Sequence, residues 1–357
     1  MPGVTARGFF GFCVCTLLVL TWRFTRGPLV KIAEGLSEKS LSSCISKVEL
    51  RKENGSSNRY SKILDNVQGI LPVSEQIDIN VLGHFGLVAV DCATKQYPII
   101  MHNTDIIKWV CQNRGEKLVT RAMLYVFQKY AGNNSESAPG LMLDIGANAG
   151  YYGLLAAKLG HAVVQFDLQP ECVSIIRNSH LANGFNDRAR IVAQGVTDGD
   201  MEITVPTEGC VGTFPAKPKK RNNVTIPVQM HPLSHFITNP DQDIMLMKID
   251  TEGNEQRVLQ GAMSFFRGKK IHNAIVEFTP GYGFWKTAGI EKEDVIKTVE
   301  EILACGYVMI PLTTCSILRT KEQVVTHMFP QKPGQFDMWI LPEENGEMTS
   351  SVCNNNK

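Results

Sequence analysis

The sequence lacks most of the features that would settle its class at a glance. It has no charge bias: 36 Lys and Arg stand against 35 Asp and Glu, a formal net charge of +1. Nothing in that balance points to nucleic acid as a partner. The one basic cluster, Lys217-Pro218-Lys219-Lys220-Arg221, is interrupted by Pro and followed by Asn222 and Asn223, and reads as a solvated loop. There are 10 cysteines but no C-x-x-C pair, and no Cys/His set has zinc spacing, so no metal site is expected. The G-x-G-x-x-G fingerprint of dinucleotide binding is missing too. No apolar run reaches the about 20 residues that cross an average bilayer comfortably.

What is present begins with Gly8 to Trp22, an uncharged apolar stretch holding Phe9, Phe10, Phe12, Leu17, Leu18 and Leu20, with Arg7 before it and Arg23 and Arg26 after it. It fits a signal-peptide core or a short signal anchor for a thin early-secretory membrane. No small-x-small cleavage site follows, which favours an uncleaved anchor over residues 1–26. Basic residues on both sides leave orientation open. Cys13 and Cys15 lie in this run. Three N-glycosylation acceptors, at Asn54, Asn133 and Asn223, fall in polar segments. Together they lead to the expectation of a single-pass membrane protein of the Golgi or endoplasmic reticulum with a lumenal domain. The alternative is a cytosol-facing or soluble one.

Residues 27–75 are rich in Ser, Lys, Glu and Asn and read as a stem or linker. Residues 76–140 form a preface, with short β-like runs between Val81 and His102 and a helix over Glu116 to Tyr130. From 141 to 345 the pattern alternates strand and helix, and 346–357 reads as a flexible tail. Strands are expected at 141–143, 162–166, 190–193, 244–249 and 273–278, and helices at 151–158, 171–181 and near 255–261. Met201 to Val205 and Val224 to Val228 alternate like edge hairpin strands. Such alternation implies a doubly wound, mostly parallel α/β sheet with helices on both faces, which binds ligands beyond the carboxyl ends of its strands.

The first strand ends at Asp144 and turns through Gly146, Asn148 and Gly150 into a helix. Glycines let the backbone approach a ligand, and a helix N-terminus offers unpaired N–H groups. A carboxylate beside this turn suits an ammonium group better than a phosphate. Asp167 ends the second strand, where a carboxylate can accept from both hydroxyls of a ribose.

These residues resemble the FkbM family of methyltransferases. The likeness runs through D-I-G-A-N-A-G-Y-Y-G (Asp144 to Gly153), F-D-x-x-P (Phe166 to Pro170), N-x-x-x-x-N-G (Asn178 to Gly184) and L-M-K-I-D-T-E-G-N-E-x-x-V-L-x-G-A (Leu246 to Ala262). It covers residues 141–280. It implies a class I methyltransferase-like fold and S-adenosyl-L-methionine as methyl donor. By position, Asp144, Gly146, Asn148 and Gly150 would line the methionine end, Asp167 would hold the ribose, and Val196 or Asp198 would lie by the adenine. The family often has Leu-Asp-Asp/Glu before the fourth strand; here Leu233-Ser234-His235 stands there, which makes His235 a candidate of its own.

A sulfonium methyl is already activated, so the protein mainly aligns donor and acceptor. A hydroxyl acceptor gains from a base within hydrogen-bond reach. Asp250 is expected to line the transfer site, with Glu252 or Glu277 positioning the acceptor or acting as base. The structural reading of Glu252 is a cap for a helix starting at Gly253 or Asn254. Gly281 to Trp285 is either an acceptor lid or simple packing. The expected activity is O-methylation of a glycan, a lipid-linked acceptor or another hydroxyl or carboxyl group. The alternatives are a protein or small-metabolite acceptor, or a non-catalytic scaffold keeping the fold.

Overall fold

The structure is a computed structural model that describes residues 57–69, 87–90, 99–102, 114–131, 139–210, 224–280, 283–331, 334–349 and 352. All fall within one compact unit, Gly55–Lys357. The expected anchor, the three glycosylation acceptors and the basic cluster lie outside the described residues. Among the described residues no helix is long and apolar enough to cross a membrane.

The described residues open with α1 (Ser57–Leu64), followed by an antiparallel pair of β1 (Leu87–Val90) and β2 (Ile99–His102), and α2 (Arg114–Ala131). Residues 57–69 correct the reading of 27–75 as stem throughout. Tyr60, Leu64 and Val67 recur at helical spacing and are buried in the main core, so this segment packs instead of linking.

The central sheet then builds in alternation: β3 (Leu141–Ile145), α3 (Tyr151–Lys158), β4 (Ala162–Phe166), α4 (Pro170–Asn183) and β5 (Ala189–Val192). Pro170 sits at the first turn of α4, where its missing N–H costs nothing, and Gly184 in the left-handed region closes it. Next come β6 (Gly195–Val196), β7 (Met201–Pro206), β8 (Thr225–His231) and α5 (Leu233–Phe236). β7 and β8 pair antiparallel as expected, yet they do not edge the main sheet. They join β6 in a separate three-stranded sheet. Their alternating burial, with one wet face, suits that position.

The chain continues through β9 (Leu246–Ile249), α6 (Glu255–Gly261), α7 (Met263–Arg267), β10 (Ala274–Phe278), α8 (Phe284–Ala288), α9 (Lys292–Ala304), β11 (Tyr307–Pro311), α10 (Lys321–Met328) and β12 (Phe336–Pro342). Capping boxes start α9 at Glu291 and α10 at Thr320. A 3₁₀ turn over Glu343–Thr349 follows, and Val352 is buried, so the tail is not loose throughout.

The seven-stranded sheet has the order β11-β12-β10-β9-β3-β4-β5. The β3, β4, β5, β9 and β10 strands run parallel; β12 is antiparallel to both β10 and β11. Strands β3, β4, β9, β10 and β11 are buried at every position, as a sheet covered on both faces requires. One core lies between the sheet and α1, α6, α7, α9 and α10; the other lies under α2 and α3. The chain winds one way from β3 to β4 and the other way from β9 to β10. That switch opens a crevice beyond the tips of β3 and β9.

Candidate active site

Asp144 pairs in register with Gln165 on β4 and Lys248 on β9, so the three side chains share one face at the crevice. Asp144 is 2% exposed. Its Oδ2 accepts from the Gly153 N–H at 3.1 Å and from the Gln165 side-chain amide at 2.8 Å. Burial raises its carboxyl to about 6. Asp144 therefore braces the turn from within.

The turn itself needs its unusual backbone. Gly146 has φ +81°, and a Cβ there would sit 1.8 Å from the Asp250 carbonyl oxygen. Asn148 adopts φ 52°, a region that Asn tolerates better than most residues. Gly150 has φ +84° and precedes α3 with no cap of its own; Asp144 takes the Gly153 N–H, which leaves those of Tyr151 and Tyr152 to face a ligand.

Asp167, just past β4, is also buried. Its Oδ2 accepts from the Asn148 N–H at 2.8 Å and its Oδ1 from the Gln169 N–H at 2.9 Å. Burial raises it to about 7. Each oxygen keeps a lone pair for a hydroxyl. The turn and the second acid are thus tied together by one hydrogen bond.

The loop after β9 meets this turn from the other side. Asp250 donates its backbone N–H to Ile145 at 3.0 Å. Its side chain, 32% exposed, pairs with Lys248 Nζ at 3.2 Å. Glu252 stands at φ 51°. α6 begins at Glu255, and its N-cap residue, Asn254, makes no side-chain cap bond. Glu255 does the local work instead. Its Oε1 accepts from the Gly253 N–H at 2.7 Å and its Oε2 from Trp285 Nε1 at 3.0 Å. Glu252 is left half-buried, and burial, then Asp250 and Glu255, raise it to about 7.

Lys248 is 2% exposed. Burial alone would strip its proton, but Asp250, Glu277, Asp337 and Glu116 outweigh that and hold its pKa above the usual lysine value. Glu277 on β10 is in register with Asp337 on β12. Burial first, then Asp250, drives Glu277 well above the usual carboxylate range, and burial raises Asp337 as well. Gln335 donates to Glu277, and Tyr152 donates to Glu116. Of the two candidate carboxyls, Glu277 is the more strongly shifted, and Glu252 is raised only to about 7.

The remaining expectations separate. Val196 is buried in the core, and its carbonyl accepts from Asn254 at 3.2 Å; Asp198 is exposed. A Cβ on Gly261 would lie 2.0 Å from the Thr197 carbonyl, so α6 and this segment are in close contact. His235 stacks on His231 at 4.0 Å, and His231 contacts Asp200, all beside the small sheet. Trp285 is buried against Phe278 and Phe329, which resolves it as packing. Gly281 and Tyr282 lie outside the described residues. No group of three or more His, Cys, Asp or Glu that could hold a metal ion occurs among the described residues.

Two features are not apparent from the sequence alone. Gln165 and His180 lie fully buried behind the turn; the signal was a lone Gln in the apolar run Ala162-Val163-Val164-Gln165-Phe166. A disulfide joins Cys172 at the start of α4 to Cys210. The Cys210 sulfur lies 3.3 Å from Asn148 Oδ1, a contact without a proton because the sulfur is already bonded.

A comparison with curated proteins finds no match. Among solved structures, the magnesium protoporphyrin IX methyltransferase of Synechocystis PCC 6803, with bound SAH, is 10% identical, covers 67% of this chain and 87% of its own, and has a TM-score of 0.34. A precorrin-6y C5,15-methyltransferase from Geobacter metallireducens GS-15 is 10% identical over 62% of this chain and 88% of its own, with a TM-score of 0.30. Likeness at that level carries no argument about activity. Residues 144–309 match the family model described as methyltransferase FkbM domain, a span that includes the turn from Asp144 to Gly150, Asp167, Asp250, Glu252 and Glu277. Residues 144–309, a little under half of the chain, are similar to that domain, and the match supports a methyltransferase with S-adenosylmethionine as its donor.

Proposed function

We propose that this domain transfers the methyl group to an oxygen of a glycan or lipid-linked acceptor, in the lumen of the secretory pathway. One observation carries the transfer geometry: Gly146 has no side chain, and the Asp250 carbonyl occupies the space where one would be. The turn that would hold the donor and the loop bearing Asp250 and Glu252 are therefore in van der Waals contact. The donor brings a methyl group on a sulfonium, which needs little activation. Asp144, Gly146, Asn148 and Gly150 would surround its methionine end, with the Tyr151 and Tyr152 N–H groups at the start of α3 facing its carboxylate. Asp167 would take the ribose hydroxyls.

Asp250, fixed by Lys248, lines the transfer site. Glu252 accepts the acceptor's proton: a carboxyl raised to about 7 is half-ionised near neutrality, where a base works best. Its left-handed backbone is a conformation that non-glycine residues hold chiefly where the surroundings enforce it. The Cys172–Cys210 disulfide supports an oxidising compartment, as do the anchor-like N-terminus and the glycosylation acceptors.

The test is a transfer screen with methyl-labelled donor over glycans, lipid-linked sugars and peptides. Label in an oxygen-linked methyl of a glycan or lipid supports the reading; label confined to peptide nitrogen sinks it. On the acceptor found, Glu252→Gln should lower kcat by about 10²- to 10⁴-fold. It should also erase the rise in rate that the wild type shows as pH climbs through about 7.

A further inference from the structure

Behind the donor turn lies a chain of buried polar groups that neither the donor nor the acceptor would touch. Gln165 is the only polar residue in β4 and has no exposure. Its amide nitrogen donates to Asp144 Oδ2 at 2.8 Å and to the Gly150 carbonyl at 3.3 Å. Those two acceptors belong to the first and last residues of the turn. The amide oxygen takes the opposite direction and meets His180 Nε2 at 2.5 Å.

The chemistry of the neighbours fixes every proton in this chain. Asp144 Oδ2 and the Gly150 oxygen only accept, so the NH₂ end of Gln165 must face them. The Gln165 oxygen only accepts, so His180 must carry its proton on Nε2. His180 Nδ1 is buried with no partner, as that tautomer leaves it. Burial also lowers the His180 pKa to about 3, which keeps the ring neutral over the working range. Space is reserved for the same amide: a Cβ on Gly153 would fall 2.2 Å from the Gln165 side-chain carbon, and one on Gly150 3.3 Å from its nitrogen.

We propose that Gln165, oriented by His180, is the positioning residue of the donor site, holding the Asp144 carboxylate and the Gly150 carbonyl at the spacing that donor binding needs. The proposal rests on the reading of residues 144–150 as the donor turn. Without the amide, Asp144 keeps only the Gly153 N–H as a partner on Oδ2, and Gly150 loses its link to the sheet. His180 acts one step further back, by preventing the amide from turning its oxygen toward Asp144.

Calorimetric titration of the full chain with S-adenosylhomocysteine between pH 5.5 and 8.5, alongside thermal unfolding, tests this. Gln165→Leu should weaken binding by roughly 10- to 100-fold, the loss of a hydrogen bond to a buried charge. Gln165→Glu keeps the shape but sets a second carboxyl against Asp144, and two such groups share one proton. Its affinity should approach the wild type at pH 5.5 and fall as the pH rises and that proton leaves. His180→Phe should weaken binding less than Gln165→Leu, and His180→Gln, which keeps an N–H donor, should recover part of the loss. Lowered stability in the Gln165 variants with unchanged, pH-independent affinity assigns Gln165 to folding alone and overturns the proposal. A wild-type chain that fails to bind, with Asp144→Ala no different, overturns the donor-turn reading beneath it.

Discussion

Replacing Gly146 by Ala tests the contact on which the active-site geometry depends. Two costs meet at this position. The backbone sits at φ +81°, where an L side chain costs about 1–2 kcal/mol. The added Cβ would also lie 1.8 Å from the Asp250 carbonyl, a backbone atom that cannot rotate away. Forcing such a group into a packed site adds about 1–3 kcal/mol. The total, about 2–5 kcal/mol, is a large part of the about 5–15 kcal/mol that holds a domain folded. Two controls separate the terms. Gly160 has φ +89° with nothing within 4 Å, so Gly160→Ala should show the backbone cost alone. Gly199 has neither a positive φ nor a neighbour within 4 Å, and Gly199→Ala should stay within about 0.5 kcal/mol of the wild type. Urea denaturation ranks the three, and calorimetry with S-adenosylhomocysteine reads the site. Gly146→Ala should be the least stable and should lose donor affinity, because the Asp250 loop has to move off the turn. If Gly146→Ala matches Gly160→Ala in stability and binds like the wild type, the two loops are not in contact and the geometry is wrong.

Three further outcomes are expected from the buried charges and the disulfide. Glu277 has a folded pKa raised far above its unfolded 4.5, so it takes up a proton on folding. Wild-type stability should then fall by up to about 1.4 kcal/mol per pH unit above pH 4.5, and Glu277→Gln should flatten that slope in denaturant melts taken from pH 5 to 8; an unchanged slope refutes it. Lys248→Met removes the cation from Asp250 and its neighbours and should cost about 3–5 kcal/mol, read by the same melts; a neutral result would mean that the pair with Asp250 contributes no net stability. Opening the Cys172–Cys210 bridge, which closes a sequence separation of 38, by paired Ala substitution should cost about 2–4 kcal/mol and weaken donor binding through Asn148. Unaltered affinity would detach the bridge from the site.

The turn from Asp144 to Gly150 was legible in the sequence because it is local. Strand, turn and helix follow one another from Leu141 to Lys158, and α3 spans the residues its pattern predicts. Asp144, Gly146, Asn148 and Gly150 sit where their spacing puts them. The cluster around Lys248 was legible only in part, because it is assembled from distant segments. Lys248 is surrounded by Glu116 from α2 and by Glu277 and Asp337 from neighbouring strands, and no spacing links those positions. Beyond Phe278 the strands went unread. Tyr307-Val308-Met309-Ile310-Pro311 is continuously apolar without a period, and β12 mixes Asp337 into its run. The caps of α9 and α10 were readable signals: Glu291 with Asp294, and Thr320 with Gln323. Glu252 was legible as a candidate beside Glu277, but its left-handed backbone and its burial leave no trace in the string of residues.

The placement of β12 has a consequence for how the chain is made. It is the last of the described strands in chain order, yet it lies between β10 and β11 and, among the described residues, supplies the ladder that joins β11 to the main sheet. Until Phe336–Pro342 has left the ribosome, Ala274–Phe278 presents an open apolar edge and Tyr307–Pro311 has no strand to pair with. Open edges of this kind recruit other chains. A frameshift or stop codon just before residue 336 should therefore yield an aggregating polypeptide, although the whole family-matched segment has already been translated.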